Sequence, residues 1–208
     1  SQEWPVVTSA ATGLVQAELQ GNTLIVSGAF GGLESDVATS IAGGAHLHIG
    51  PPGANGGVAV ALDATLDADL RGGIFEPSSN TFTLTNDQVA SLLDRQCYVN
   101  IHTIGNMAGE IRGQLMLEAQ AYFMAFLNGG QELPDVNTTG HGMIIAELSG
   151  DKLTCVGSFD DLQSAVNVAI AGGAHLHLAL PGRSGDVAFP LMASLDGDLV
   201  VITPAMEG

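Results

Sequence analysis

The feature that most constrains the fold is a long internal repeat. Sliding the 208-residue chain by 129 positions carries "GGAHLHIGPPG" at 43–53 onto "GGAHLHLALPG" at 172–182. The same offset places Gln2-Glu3 on Gln131-Glu132, Ala17-Glu18-Leu19 on Ala146-Glu147-Leu148, and Gly28 on Gly157. It also places Phe30 on Phe159, Gly56 on Gly185, and Val58-Ala59 on Val187-Ala188, with no gap anywhere. A match of this length means a tandem duplication, so the chain divides into two like domains, 1–117 and 118–208. The offset also exposes ragged ends. "AYFMAFLNGG" at 121–130 has its counterpart before Ser1, and Gly208 is the counterpart of Ser79. Repeat 1 is therefore expected to lack its first strand and repeat 2 its C-terminal part. The gaps are expected to be filled by neighbouring repeats or other copies through β-strand contacts, as in a filament or larger array.

Within a repeat the hydrophobic period is mostly two. "TGLVQAELQ" and "TLIVSGAF" alternate and are joined by Gly21-Asn22, a tight-turn pair. "AHLHIG" and "GVAVAL" flank the turn-rich "PPGANG", while "CYVNIHT" and "GEIRGQLML" flank "IGNMAG". "TNDQVASLLD" reads as a helix, since Thr85 and Gln88 have capping-box spacing and Val89, Leu92 and Leu93 share a face. The expected class is all-β: tandem antiparallel, Greek-key-like β-sandwiches with one short helix per complete repeat.

Charge narrows the partners. With 22 acidic against five basic residues the formal net charge is −17, which repels nucleic-acid phosphates and anionic lipid. No apolar run reaches the length of a membrane span. Cys97 and Cys155 occupy different positions within their repeats and are expected to be separate thiols rather than a bridge between domains. "NTT" at 137–139 makes Asn137 a glycosylation acceptor if the protein is secreted.

The phrases "GGAHLHIGPPGANGGVAVAL", "LLDRQCYVNIHT" and "MAGEIRGQL", with "LNGGQELPDV" opening repeat 2, closely resemble the CHRD (chordin-type) domain family. Repeat 2 departs from that pattern where "HIGPPG" becomes "HLALPG". The resemblance implies a secreted or cell-surface β-sandwich module, used in tandem as an extracellular structural or assembly unit.

Four of the six histidines lie in the repeated phrase. In a strand, His46 and His48 project from one face, and so do His175 and His177. With His102 on a nearby strand, His46 and His48 could offer three imidazoles to copper or zinc. The bland alternative is that these rings are buried and satisfied by backbone carbonyls or by each other, with Glu110 and Arg112 pairing beside them. The arrangement is also similar to the copper half of copper–zinc superoxide dismutase, which would make the protein a metal-dependent oxidoreductase. Against this, "IGPPGANGG" contains no histidine to bridge to zinc. No catalytic constellation is recognised elsewhere, and the protein is expected not to be an enzyme. Asp67/Asp69 and Asp196/Asp198 recur at one repeat position and read as solvated turns rather than Ca²⁺ loops. His141 reads as an ordinary exposed residue.

Overall fold

The computed structural model describes residues 2–196 and 199–202. The chain divides into two compact units, Ser1–Gly50 with Asn55–Met116, and Pro51–Ala54 with Leu117–Gly208.

The first unit is built from two antiparallel sheets. β1 (Thr12–Gln20) and β2 (Thr23–Gly31) form the expected hairpin, in register from Thr12↔Gly31 to Gln20↔Thr23. Its turn is closed by Gly21 at φ 59°, a left-handed conformation that glycine adopts without steric cost. β2 then pairs with β6 (Gly73–Phe75), which pairs with β5 (Ala64–Leu66), while β7 (Thr81–Thr83) adds to the other end of β2. The second sheet runs β4 (Gly57–Ala61), β3 (Ala45–Ile49), β8 (Cys97–Ile101), β9 (Ile111–Gln114). The helix α1 (Asn86–Leu93) starts as expected: Thr85 and Gln88 form a reciprocal capping box. The strands β5, β6 and β7 escape a reading of the sequence because three residues are too short to display alternation.

One core lies between the sheets. Leu24, Val26, Phe30 and Phe75 come from the first sheet, and Ala45, Leu47, Cys97, Val99 and Ile101 from the second. Because strand side chains alternate, His46 and His48 on β3, Tyr98 and Asn100 on β8, and Arg112 and Gln114 on β9 point to the opposite face of the second sheet. That face is buried too. The N-terminal segment crosses it: the Gln114 N–H donates to Gln2 Oε1 at 3.0 Å, and Asn55 Nδ2 donates to the Trp4 carbonyl at 2.8 Å. The second sheet is thus walled on both sides, by an apolar layer and by a polar one.

In the second unit β10 (Ala121–Asn128), β11 (His141–Ser149) and β12 (Lys152–Asp160) pair in succession, and β12 meets β16 (Leu199–Ile202), which pairs with β15 (Ala193–Asp196). β13 (His175–Leu178) and β14 (Asp186–Pro190) form a separate hairpin. β11 and β12 are the counterparts of β1 and β2. Cys97 and Cys155 are both free and buried. Asp67 and Asp69 are exposed in the turn before β6, where Asp69 accepts the Arg71 N–H, whereas Asp198 lies outside the described residues. His141 is not the exposed residue expected: its side chain is mostly buried, with Nδ1 3.8 Å from Asp161. Asn137 is exposed ahead of β11. Among the described residues no helix is long and apolar enough to cross a membrane.

Candidate metal centre

The polar face of the second sheet gathers three histidines. β3 supplies His46 and His48, and His102 follows the end of the adjacent β8. One ligand nitrogen from each lies within 4.8 Å of the others, and the rings are 1%, 8% and 6% exposed respectively. Their centroids are separated by 4.9 Å (His46–His102), 5.6 Å (His46–His48) and 5.8 Å (His48–His102). Ligation at about 2.0 Å from each nitrogen needs N···N separations of roughly 3.3–3.5 Å, so the rings have to close by little more than an ångström.

Backbone carbonyls set two of the tautomers. His48 Nδ1 lies 2.9 Å from the Gly56 carbonyl and His102 Nδ1 lies 3.0 Å from that of Met107. A carbonyl only accepts, so each Nδ1 carries the proton and each Nε2 presents a lone pair. Both Nε2 atoms are buried with no hydrogen-bond partner, and His46 has a partner for neither of its nitrogens. Burial is the main influence holding His48 and His102 below the ordinary histidine range, with the other imidazoles acting in the same direction. The lone pairs of His48 Nε2 and His102 Nε2 are therefore uncommitted within the cluster. The hydrogen-bonded reading of the three rings accounts for two of six nitrogens and leaves the remaining four unsatisfied.

Other residues shape the site. Tyr98 stacks on His48 with centroids 4.9 Å apart and planes 11° from parallel. The Arg112 guanidinium lies 3.4 Å from the centroid of the Tyr98 ring. Tyr98 Oη accepts the Gly56 N–H at 2.9 Å, so one residue's peptide groups hold both Tyr98 and His48. A Cβ at Gly56 would sit 1.6 Å from the Ile49 carbonyl oxygen, so only glycine lets the chain pass this close. Glu3 is 4% exposed, and burial pushes its carboxyl up to about 7 against the pull of Arg112.

The expected pairing of Glu110 with Arg112 does not form. Glu110 accepts from Ser9 Oγ, the Glu34 N–H and Thr103 Oγ1, each at 2.8 Å, while Arg112 turns to Tyr98. Tyr98 was legible in principle, since Tyr98, Asn100 and His102 fall two apart along β8 and the residue that follows it. Glu3 has no alternation to mark it, because it arrives from a distant segment; its sequence signal is its repetition as Glu132.

In the second unit His175 and His177 meet with centroids 4.7 Å apart, and His177 Nδ1 lies 2.7 Å from the Gly185 carbonyl, repeating the His48–Gly56 contact. His175 Nδ1 is buried without a partner. The pair lines a cavity of about 670 Å³ with Ile144, Phe159 and Leu191. Among the described residues no third histidine, cysteine or carboxylate joins this pair.

Compared with known proteins, the chain matches the family model of the CHRD domain over residues 1–115 and again over 123–203. No curated protein and no solved structure matches it.

Proposed function

The chain belongs to the CHRD domain family as two consecutive copies, and on that premise we propose that its first repeat binds a transition-metal ion, copper or zinc, through His46, His48 and His102. One observation carries this reading: four imidazole nitrogens on three buried, mutually facing rings have no hydrogen-bond partner. Leaving a buried polar group unsatisfied costs about 1–3 kcal/mol. A metal would engage one nitrogen of each ring and offset much of that cost. Elemental analysis and titration calorimetry on chelator-stripped full-length chain test the reading. One equivalent bound, and lost in His102→Ala, supports it; no uptake, or uptake unchanged in that variant, overturns it. His175 and His177 would form a weaker two-nitrogen site.

A second reading, assembly of copies, rests on the contrast between the repeats. β11 is bonded on both sides, whereas β1 is bonded only to β2 among the described residues. Leu14 on β1 is 73% exposed, but its counterpart Met143 on β11 is buried. β10 in turn exposes Tyr122, Phe123, Met124 and Phe126. In this reading the β1 edge of one copy adds to the outer edge of β10 in the next, a head-to-tail contact that propagates. Light scattering across a concentration series tests it: growth that Leu14→Lys abolishes supports it, and a strictly monomeric chain overturns it. Both roles fit the exterior of the cell, a compartment that the family resemblance supports.

A further inference from the structure

The chemistry of the three-histidine cluster discriminates between candidate ions. Resting on the metal-binding reading above, we infer that the site is built for monovalent copper, held by three neutral imidazoles away from water.

Three observations converge. The ligand set contains no carboxylate or thiolate, so nothing in it cancels the charge of the ion. The cost of moving an ion into a poorly solvated site scales with the square of its charge, so a divalent ion pays about four times what a monovalent one does. In addition, the Arg112 guanidinium is stacked through Tyr98 toward His48, which puts a fixed positive charge on the same face, one that the buried Glu3 carboxyl offsets only when it ionises. At about 10 Å and an effective dielectric of ~20, that charge penalises each further unit of positive charge by roughly ten- to twentyfold in affinity.

Coordination number points the same way. Zinc completes four ligands, with a water where the protein supplies three, and Cu²⁺ favours tetragonal nitrogen and oxygen sets. Across the strands from His46 lies Asn100 Oδ1, which has no hydrogen-bond partner among the described residues and belongs to a neutral amide whose Nδ2 is already bonded to the Ala108 carbonyl at 3.2 Å. Soft, low-coordinate Cu⁺ needs neither a fourth ligand nor a compensating anion.

The test uses full-length chain stripped of metal. Cu⁺ is titrated anaerobically against a chromophoric Cu⁺ chelator, Zn²⁺ against a metallochromic dye, and Cu²⁺ is followed by electron paramagnetic resonance. His46→Ala and His102→Ala serve as separate controls, with circular dichroism verifying their folding. The expected result is one equivalent of Cu⁺, lost in either variant and silent in paramagnetic resonance after exposure to air. Zn²⁺ should bind at least a hundredfold more weakly, and Arg112→Gln should narrow that gap about tenfold. Zn²⁺ or Cu²⁺ binding at the three histidines as tightly as Cu⁺ overturns the monovalent assignment and leaves metal binding intact. Failure of every ion to bind overturns both.

Discussion

Replacing His46 by leucine separates a metal centre from a hydrogen-bonded support more sharply than any deletion of activity. His46 is 1% exposed and both of its ring nitrogens lack a partner. In the metal-free protein each unsatisfied nitrogen costs about 1–3 kcal/mol. Leucine has a comparable volume and no polar atoms. A branched side chain in the slot of a flat ring gives back about 1–2 kcal/mol in misfit. The net expectation for His46→Leu is a metal-free protein more stable by about 1–3 kcal/mol. For a domain of roughly a hundred residues that is a rise in Tm of about 4–12 °C. With metal the order reverses: at a thousandfold excess over Kd the wild type gains about 4.1 kcal/mol, and the variant gains nothing. Calorimetric melting of both proteins, once with a strong chelator and once with metal, reads the crossing directly. A chelated variant that melts well below the wild type would mean that the His46 nitrogens are hydrogen-bonded in solution, and the reasoning fails. A metal-dependent shift that survives in the variant would place the ion elsewhere.

Three further outcomes follow from the same face of the sheet and its core. Glu3 has its pKa raised from 4.5 to about 7, so its favourable contribution is fully present below pH 4.5 and lost as pH rises through 7. Urea unfolding of Glu3→Gln should therefore match wild type near pH 4 and exceed it by about 3 kcal/mol at pH 8; a pH-independent difference refutes this. His48 and His102 are depressed and run the opposite way: their contribution is complete above the ordinary value of 6.5 and declines as pH falls below it, so metal-free Glu3→Gln should lose stability on acidification. Cys97, whose thiol burial pushes up to about 12, should resist alkylation at pH 8 in the native chain and react at once in denaturant.

Much of this was open to inspection in the residue order. The duplication, the β1–β2 hairpin and the Thr85 capping box all rest on local signals, and each has its physical counterpart in the structure. Alternation also put His46 and His48 on one side of a strand. What alternation cannot tell is which sides of a sheet end up covered. The apolar residues Leu47 and Val99 mark the core side, but the burial of the histidine side depends on Gln2, Glu3 and Trp4 crossing it from far away, and loops have no periodicity to announce such a crossing. The same blindness produced the Glu110–Arg112 pairing: both residues share a face, yet Ser9, Glu34 and Thr103 offer Glu110 better geometry, and the Tyr98 ring takes the guanidinium.

A sheet with an interior on both faces has a consequence for how the molecule breathes. β3 and β8 are buried along almost their whole length, while β1 is exposed along most of its length. Amide protons on β8 have no solvent-facing route to exchange, so they should be released only when the first unit unfolds as a whole, with protection equal to its global stability. Those on the outer edge of β1 should exchange by fraying, orders of magnitude sooner. Any ion held by His46, His48 and His102 would then share the clock of β8: it would escape on the timescale of unfolding and not on that of a moving loop, and the first repeat would act as a slow reservoir rather than a shuttle.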